Sequence, residues 1–128
     1  MKGNKTELLE NLINDEYKLY INGIIYSEFM FHFISAVSGK SPFTLKKKKI
    51  VANVLNKYEP LEFLEVFEIL PETNGIIDLS YFYMKKYNLL PNDSLILSTY
   101  KFYKLDFLAT YDSDFKEVSR KEEVKLIT

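Results

Sequence analysis

Apolar residues recur along this chain with the spacing of helices in some segments and of strands in others. Helices are predicted at 6–14, 24–38, from near Pro42 to Pro60, 76–87 and 92–104. Short apolar runs predict strands at 17–23, 63–70, 106–109 and 124–128. Helices that alternate with strands are typical of a parallel sheet covered on both faces, so the pattern predicts an α/β fold.

Turn and capping residues mark where several of these helices begin and end. Thr6 is a candidate N-cap for the first helix and Thr44 for the third. The pair Asn22-Gly23 is either a turn signal or the start of the second helix, which stops near Gly39. Pro60 closes the third helix.

Two helices have a recognisable inward face. In the third helix the face consists of Ile50, Val54 and Leu55. In the fourth, the residues predicted to pack inward are Leu79, Phe82, Tyr83 and Tyr87. The aromatic residues near the fourth and fifth helices are interpreted as mostly core; they are Tyr81, Phe82, Tyr83, Tyr87, Tyr100, Phe102 and Tyr103.

Composition supports one folded domain spanning 1–128. Hydrophobic residues make up 47% of the 128, enough for a packed core, and there is no cysteine for disulfides or thiolate metal sites. The longest nearly uncharged run, 29–37, is interrupted by His32 and is too short to cross a bilayer. No secretory signal pattern opens the chain. We therefore expect a cytoplasmic protein with no membrane contact.

Charge and motifs exclude several function classes. The net charge of −1 gives no general attraction to nucleic acid, although Lys46–Lys49 form a dense basic run. That run could bind RNA phosphates, but four consecutive residues wrap around a helix, which favours a solvated face. Glu28 and His32 do not form a zincin motif, and nucleotide-cradling glycine patterns and the serine-hydrolase elbow are missing from the sequence.

Aspartates follow the predicted strand in the stretch LATYDSDF, at Asp112 and Asp114. Asp93 opens a helix and Glu28 lies early in an otherwise apolar helix. Clustered carboxylates repel each other, and a hard divalent cation relieves that repulsion, so a metal site is one interpretation. The alternatives are an Asx-turn at 112–114, a helix N-terminal role for Asp93, and an ion pair between Glu28 and a lysine.

The stretch LLPNDSLILSTYKFYKLDFLATYDSDF resembles the C-terminal signature of the PIN-domain family, which includes the toxins of VapBC-type toxin–antitoxin pairs. In that signature an Asp opens a helix, and a strand ends in Thr-x-Asp followed closely by Asp-Phe. The corresponding residues here are Asp93, Thr110, Asp112, Asp114 and Phe115. The upstream stretch LYINGIIYSEFMF resembles the second strand and the helix that bears an acidic residue, and the resemblance covers about 6–128.

The resemblance implies a three-layer α/β/α fold with a mainly parallel central sheet and metal-dependent cleavage of RNA. Glu28, Asp93, Asp112 and Asp114 would hold Mg²⁺ or Mn²⁺, and Thr110 would orient a carboxylate or a water. The implied partners are an RNA substrate, an antitoxin protein and a second copy in a homodimer. Some of the aromatic residues are expected to form the dimer or antitoxin surface.

One feature departs from the family pattern. PIN domains begin with a strand that ends in the first acidic residue, whereas this chain begins at MKGNKTELLENL, which resembles the segment after that residue. Three explanations are open: the start lies upstream of Met1, the domain is trimmed and does not cleave, or a partner supplies the strand. The first is preferred. The alternative function is a catalytically inactive PIN-like interaction module.

Overall fold

The computed structural model describes residues 3–40, 50–110 and 114–127, with only the backbone described at 3–8, 114 and 127. Two compact units emerge: a terminal unit of residues 1–17 with 72–128, and a central unit of residues 18–71. In chain order the elements are α1 (Gly3–Asn14), β1 (Leu19–Asn22), α2 (Gly23–Ser38), α3 (Ile50–Tyr58), α4 (Leu61–Leu64), β2 (Phe67–Leu70), α5 (Asn74–Tyr87), α6 (Pro91–Phe102), β3 (Leu108–Ala109), α7 (Asp114–Glu122) and β4 (Leu126–Ile127).

In the central unit, a parallel strand pair leads directly into α2. β1 pairs with β2 in a register that places Leu19 opposite Phe67. Asn22, the last residue of β1, is also the N-cap of α2, and its side-chain oxygen accepts the N–H of Ile25 at 2.9 Å. At the other end Gly39 adopts a left-handed conformation (φ 68°) that ends the helix.

The core of the central unit joins α2 to α3. Ile34 and Val54 are buried, and the half-buried side chains of Phe33, Ile50 and Leu55 pack against them. The predicted inward face of the third helix is therefore confirmed over the described residues of α3. Removal of these side chains from water is the main favourable contribution to the packing of the two helices.

In the terminal unit, α5 packs against α6, and β3 pairs with β4 in parallel. One core cluster holds these elements together with α7; its buried members are Tyr83, Leu97, Tyr100, Phe115, Val118 and Val124. Both strand pairs of the described residues are parallel, as the alternation of helices and strands predicted. None of the helices in the described ranges is both long enough and apolar enough to cross a membrane.

Two local predictions are wrong, and one helix is missing from the predicted elements. Thr6 is not an N-cap, because α1 already begins at Gly3. The predicted strand at 63–70 is confirmed only at Phe67–Leu70, because Leu61–Leu64 form a helical turn. Pro60 favours the start of a helix, and the turn buries the side chain of Leu64. The helix α7 was not predicted, because Phe115 and Val118 are its only strongly apolar positions.

The aromatic residues of α5 and α6 are less buried than predicted. Tyr83 and Tyr100 are core residues, whereas Phe82, expected to pack inward, is exposed together with Tyr81 and Phe102. Apolar residues lie on more than one side of α5, so sequence periodicity did not identify its inner face. The predictions for Pro42, Thr44, Lys46–Lys49 and Asp112 lie outside the described residues.

Candidate functional site

Asp93 lies in the first turn of α6 and is half-buried. The helix follows Leu90, whose backbone is extended, and Pro91 is its first residue. Proline suits this position because its ring fixes a helical φ and the first turn needs no N–H donor. The backbone N–H groups of that turn point toward the helix start, where a carboxylate is favoured. The prediction that Asp93 opens a helix is confirmed.

The interior of the terminal unit fixes the position of α6. Ser94 and Leu97, which follow Asp93 in the first two turns of α6, are fully buried. Leu97 belongs to the same core as Phe115, and Leu108 packs against that core from β3. Three predicted site residues therefore belong to elements of this core: Asp93 lies in α6, Thr110 follows β3, and Asp114 begins α7.

Thr110 directly follows β3 and is half-buried. A short parallel pairing holds this strand end, with the N–H of Leu108 donating to the carbonyl of Lys125 at 2.9 Å. Phe115, the phenylalanine of the Asp-Phe pair, is buried at the start of α7. The chain is thus anchored on both sides of Asp112, which itself lies outside the described residues.

Tyr100 connects α6 to both strands of the terminal unit. Its ring is buried, and its hydroxyl donates to the carbonyl of Asp106 at 3.3 Å just before β3. The same hydroxyl accepts the N–H of Lys125 at 3.3 Å, just before β4. A single buried side chain therefore sets the position of two strands relative to the helix that bears Asp93.

Glu122, at the end of α7, is the centre of a polar network that sequence reasoning did not identify. Its carboxylate accepts the hydroxyls of Tyr83 (3.2 Å) and Tyr87 and pairs with the ammonium of Lys86 (3.2 Å). The backbone carbonyl of Glu122 accepts the ammonium of Lys101. The sequence signal is weak, because the donors come from positions distant along the chain.

The network shifts the pKa values of its members. Burial, together with the nearby Glu122 carboxylate, raises the pKa of Tyr83 to about 12. Burial alone would raise the pKa of Glu122, but hydrogen bonds from Tyr87, Lys86 and Tyr83 outweigh it, so that pKa is lowered. Glu122 is therefore a charged anchor that joins α7 to α5.

Glu28 lies in α2 of the central unit, and its side chain is exposed. The next residue, Phe29, is half-buried and its ring stacks against Phe33 (centroids 5.9 Å apart) and Phe63 (5.5 Å). The apolar surroundings expected for Glu28 are thus on the adjacent face of the helix. Within the described ranges Glu28 forms no ion pair with a lysine, which was one of the alternatives.

The structure describes two of the four proposed metal ligands with their side chains, Glu28 and Asp93, which belong to different units. Over the described part of the chain, no group of three His, Asp or Glu side chains forms a metal site. Asp112 and the side chain of Asp114 lie outside that part. The donor chemistry nevertheless fits a hard divalent cation, because all four side chains offer carboxylate oxygens.

Comparisons with known proteins identify the family. The sequence model of the PIN domain matches residues 3–121. Ribonuclease VapC2 of Methanocaldococcus jannaschii is 37% identical over 120 residues, which cover 94% of this chain and 80% of that protein. Ribonuclease VapC6 of the same organism is 35% identical, with 93% of this chain and 84% of that protein covered. No solved structure matches. The chain belongs to the PIN-domain family.

Proposed function

We propose that this chain is a toxin-type PIN ribonuclease that cleaves RNA phosphodiester bonds. The observation that carries the proposal is the similarity of nearly the whole chain to the PIN domain and to two VapC ribonucleases. The positions of Asp93 at a helix start and of Thr110 at a strand end agree with the signature of the family. A cytoplasmic location is part of the proposal.

PIN ribonucleases generally depend on a divalent metal ion, and we propose Mg²⁺ or Mn²⁺ here. The residues proposed to hold it are Glu28, Asp93, Asp112 and Asp114. When bound, such an ion lowers the pKa of a coordinated water and stabilises charge on the scissile phosphate. All four groups are acidic, so a bound cation would relieve their mutual repulsion.

The other residues of the site are proposed to position these carboxylates. Asp93 is fixed by the buried turn of α6 that follows it, and its side chain lies in the first turn of that helix. Thr110 would orient a carboxylate or a water by a hydrogen bond. Phe115, the residue next to Asp114, is buried in the core, and this anchor would limit the movement of the chain at that acid.

The proposed partners follow from the same assignment. Besides RNA, a toxin of this type is held by an antitoxin protein, and a homodimer is the expected state of the free protein.

The test is cleavage of total cellular RNA in the presence of Mn²⁺, followed by mapping of new 5′ ends. We expect Asp93→Asn and Asp112→Asn each to reduce the cleavage rate by about 100-fold or more, because an amide retains the shape but loses the charge that holds the cation. Asp106→Asn is the matched control, since Asp106 is exposed and outside the proposed site. It should cleave at the unchanged rate.

Two results would contradict the proposal. Absence of cleavage by the unchanged chain at every metal concentration would favour the inactive interaction module instead. Unchanged cleavage in both Asp93→Asn and Asp112→Asn would indicate that a contaminating nuclease, rather than this site, is responsible.

A further inference from the structure

Two lysine ammonium groups flank one aromatic ring where α5 and α7 meet. The ammonium of Lys86, in the last turn of α5, lies 5.2 Å from the centre of the Tyr87 ring. The ammonium of Lys121, in the last turn of α7, lies 6.0 Å from the same centre. Two positive charges from different helices therefore converge on one ring. We call Lys86 and Lys121 the lysine pair.

Both members of the lysine pair are accessible to solvent, but their carboxylate partners differ. The side chains of Lys86 and Lys121 are 48% and 57% exposed. Lys86 contacts Glu122 at 3.2 Å, and this carboxylate is 16% exposed and also accepts two tyrosine hydroxyls. Lys121 contacts Glu117, also at 3.2 Å, and that side chain is 69% exposed. Exposed ion pairs are weak, so an anion from solution can displace Glu117 more readily than Glu122.

The lysine pair lies close to positions of the proposed acidic site. The helix α5 ends at Tyr87, and three intervening residues lead to α6, which has Asp93 in its first turn. On α7, Lys121 follows Asp114, the first residue of the helix, by seven positions. Seven residues are close to two turns, so the two positions lie on the same side of α7, about 10 Å apart along its axis.

A phosphate group of RNA is the ligand that fits these charges. Phosphate oxygens accept strong hydrogen bonds from ammonium groups, and neutralised phosphates supply much of the affinity of proteins for RNA. The four carboxylates of the proposed site repel a phosphate, and cations beside them offset this repulsion. The hydrogen bond with Glu122 raises the pKa of Lys86, so this lysine stays charged at neutral pH.

We propose that the lysine pair, with the Tyr87 ring between its members, binds a backbone phosphate of the RNA substrate near the cleaved bond. The contact rests on the proposed RNA cleavage, but it concerns a phosphate that stays intact. This phosphate displaces Glu117 from Lys121, whereas Lys86 keeps its contact with Glu122. A contact with phosphate rather than with a base adds affinity without sequence preference.

The first test is binding of a short fluorescein-labelled single-stranded RNA of mixed sequence, measured by fluorescence anisotropy in EDTA so that metal-dependent cleavage is suppressed. Lys121→Gln should raise the dissociation constant by about threefold to tenfold at low salt and reduce the logarithmic salt slope by about 0.7, because one phosphate contact is lost. Lys121→Arg keeps the charge and should retain the affinity. Glu117→Gln removes the competing carboxylate and should tighten binding by about threefold.

Lys116→Gln is the matched control. It removes the same charge from the same helix, but Lys116 is exposed on a different side of α7 from Lys121. Its dissociation constant and salt slope should stay close to those of the unchanged chain. Lys86→Gln tests the α5 member of the pair, and thermal denaturation of each variant verifies the fold, because Lys86 also contacts Glu122.

The second test is the kinetics of RNA cleavage in Mn²⁺. A phosphate contact away from the reacting atoms stabilises the bound substrate and the transition state equally. Lys121→Gln should therefore raise KM by the same factor as the dissociation constant and leave kcat unchanged. A general loss of folded enzyme would lower the apparent kcat instead, which separates binding from a structural defect.

Several outcomes would overturn the phosphate contact. Equal losses of affinity in Lys116→Gln and Lys121→Gln would show that only net charge matters. Displacement of the RNA by polyglutamate more readily than by unlabelled RNA would assign the lysine pair to an acidic protein segment. The two proposals fail separately: RNA binding through Lys121 without cleavage refutes the nuclease alone, whereas cleavage with an unchanged KM in Lys121→Gln refutes the phosphate contact alone.

Discussion

Buried serines lie between α5 and α6, and they differ in how their hydroxyls are bonded. The hydroxyls of Ser80 and Ser94 bond to each other, and that of Ser94 also donates to the carbonyl of Pro91 at 3.3 Å. Ser98 is fully buried, and its hydroxyl has no hydrogen-bond partner in the described part of the chain. A buried hydroxyl without a partner has lost its bonds to water and gained none in return.

We predict that Ser98→Ala raises the free energy of unfolding by about 1 kcal/mol, because it removes the unpaired hydroxyl and places a better helix former in α6. Ser94→Ala is the matched comparison and should lower the free energy of unfolding by about 1 kcal/mol, since it leaves Ser80 without its partner. Urea denaturation measures both. If Ser98→Ala is as destabilising as Ser94→Ala, then the Ser98 hydroxyl is bonded in solution, most simply to a buried water.

The sequence predicts the structural position of some residues of the candidate site but not of others. Asp93 was predicted at a helix start because proline and acid residues have clear preferences there. The exposure of Glu28 was not predicted, since apolar neighbours in the sequence lie on other faces of a helix. Glu122 was missed because its role comes from side chains that meet only after folding. The metal-binding roles of the four acids remain predictions.

At the scale of elements, the contact between α7 and α5 depends on one carboxylate. The side chain of Glu122 is 16% exposed and receives Tyr83, Tyr87 and Lys86 from α5. Its pKa is lowered in the folded chain, so the ionised form is stabilised by folding. This contribution is fully present above the ordinary pKa of an unfolded glutamate, and it is lost as the pH falls through the lower folded value.

We predict that Glu122→Gln lowers the free energy of unfolding near neutral pH by about 1–2 kcal/mol, because hydrogen bonds to a charged acceptor are replaced by weaker ones. The difference from the unchanged chain should shrink as the pH falls below about 4.3, the ordinary value for a glutamate. Thermal or urea denaturation across this pH range measures it.

The matched control for this prediction is Glu117→Gln. Glu117 pairs with Lys121 at 3.2 Å within α7, but both side chains are more than half exposed. Its removal should change the free energy of unfolding by less than about 0.5 kcal/mol, as for other exposed pairs. If the two substitutions lower the free energy of unfolding equally, the network around Glu122 contributes no more to stability than an exposed ion pair.

The longer helices were predicted closely and the shorter elements were not. The boundaries of α2 follow from the two residues that cap it. The side chain of Asn22 caps the start of the helix, and the left-handed backbone of Gly39 ends it. Residues 63–66 form a short apolar stretch that periodicity cannot assign to a helix or a strand. Helical spacing from Leu79 predicts an inward Phe82, but apolar residues lie on more than one side of α5, and contact with α6 decides which side packs.

At the scale of the whole molecule, binding of the proposed cation should be measurable as stability. A ligand that binds only the folded chain raises the free energy of unfolding with its concentration. At Mn²⁺ concentrations about 100-fold above the dissociation constant, we expect the melting temperature to rise by roughly 5–10 °C. The rise should be much smaller in Asp93→Asn and unchanged in Asp106→Asn.

Absence of any shift in the unchanged chain would contradict the metal site. The acids would then act only in helix starts and turns, as in an α/β domain without a metal. Differential scanning fluorimetry with Mg²⁺, Mn²⁺ and a monovalent salt control distinguishes specific binding from a general effect of ionic strength.

The α/β class and the parallel strand pairing were predicted from the alternation of helices and strands, and the family was predicted from the segment around Asp93 and Asp114. The division into a terminal and a central unit was not predicted, because the sequence shows no linker at residues 17–18 or 71–72. A single domain spanning both units remains a prediction.

The direct passage of β1 into α2 at Asn22 has a consequence for variation in chain length. There is no residue between strand and helix that could absorb an insertion. One residue added at this junction would turn every side chain of α2 by about 100° around the helix axis relative to β1. Glu28 would then point in a different direction although its own sequence neighbours were unchanged. The direction in which this acid projects is therefore set by the length of the chain before it as much as by its own identity.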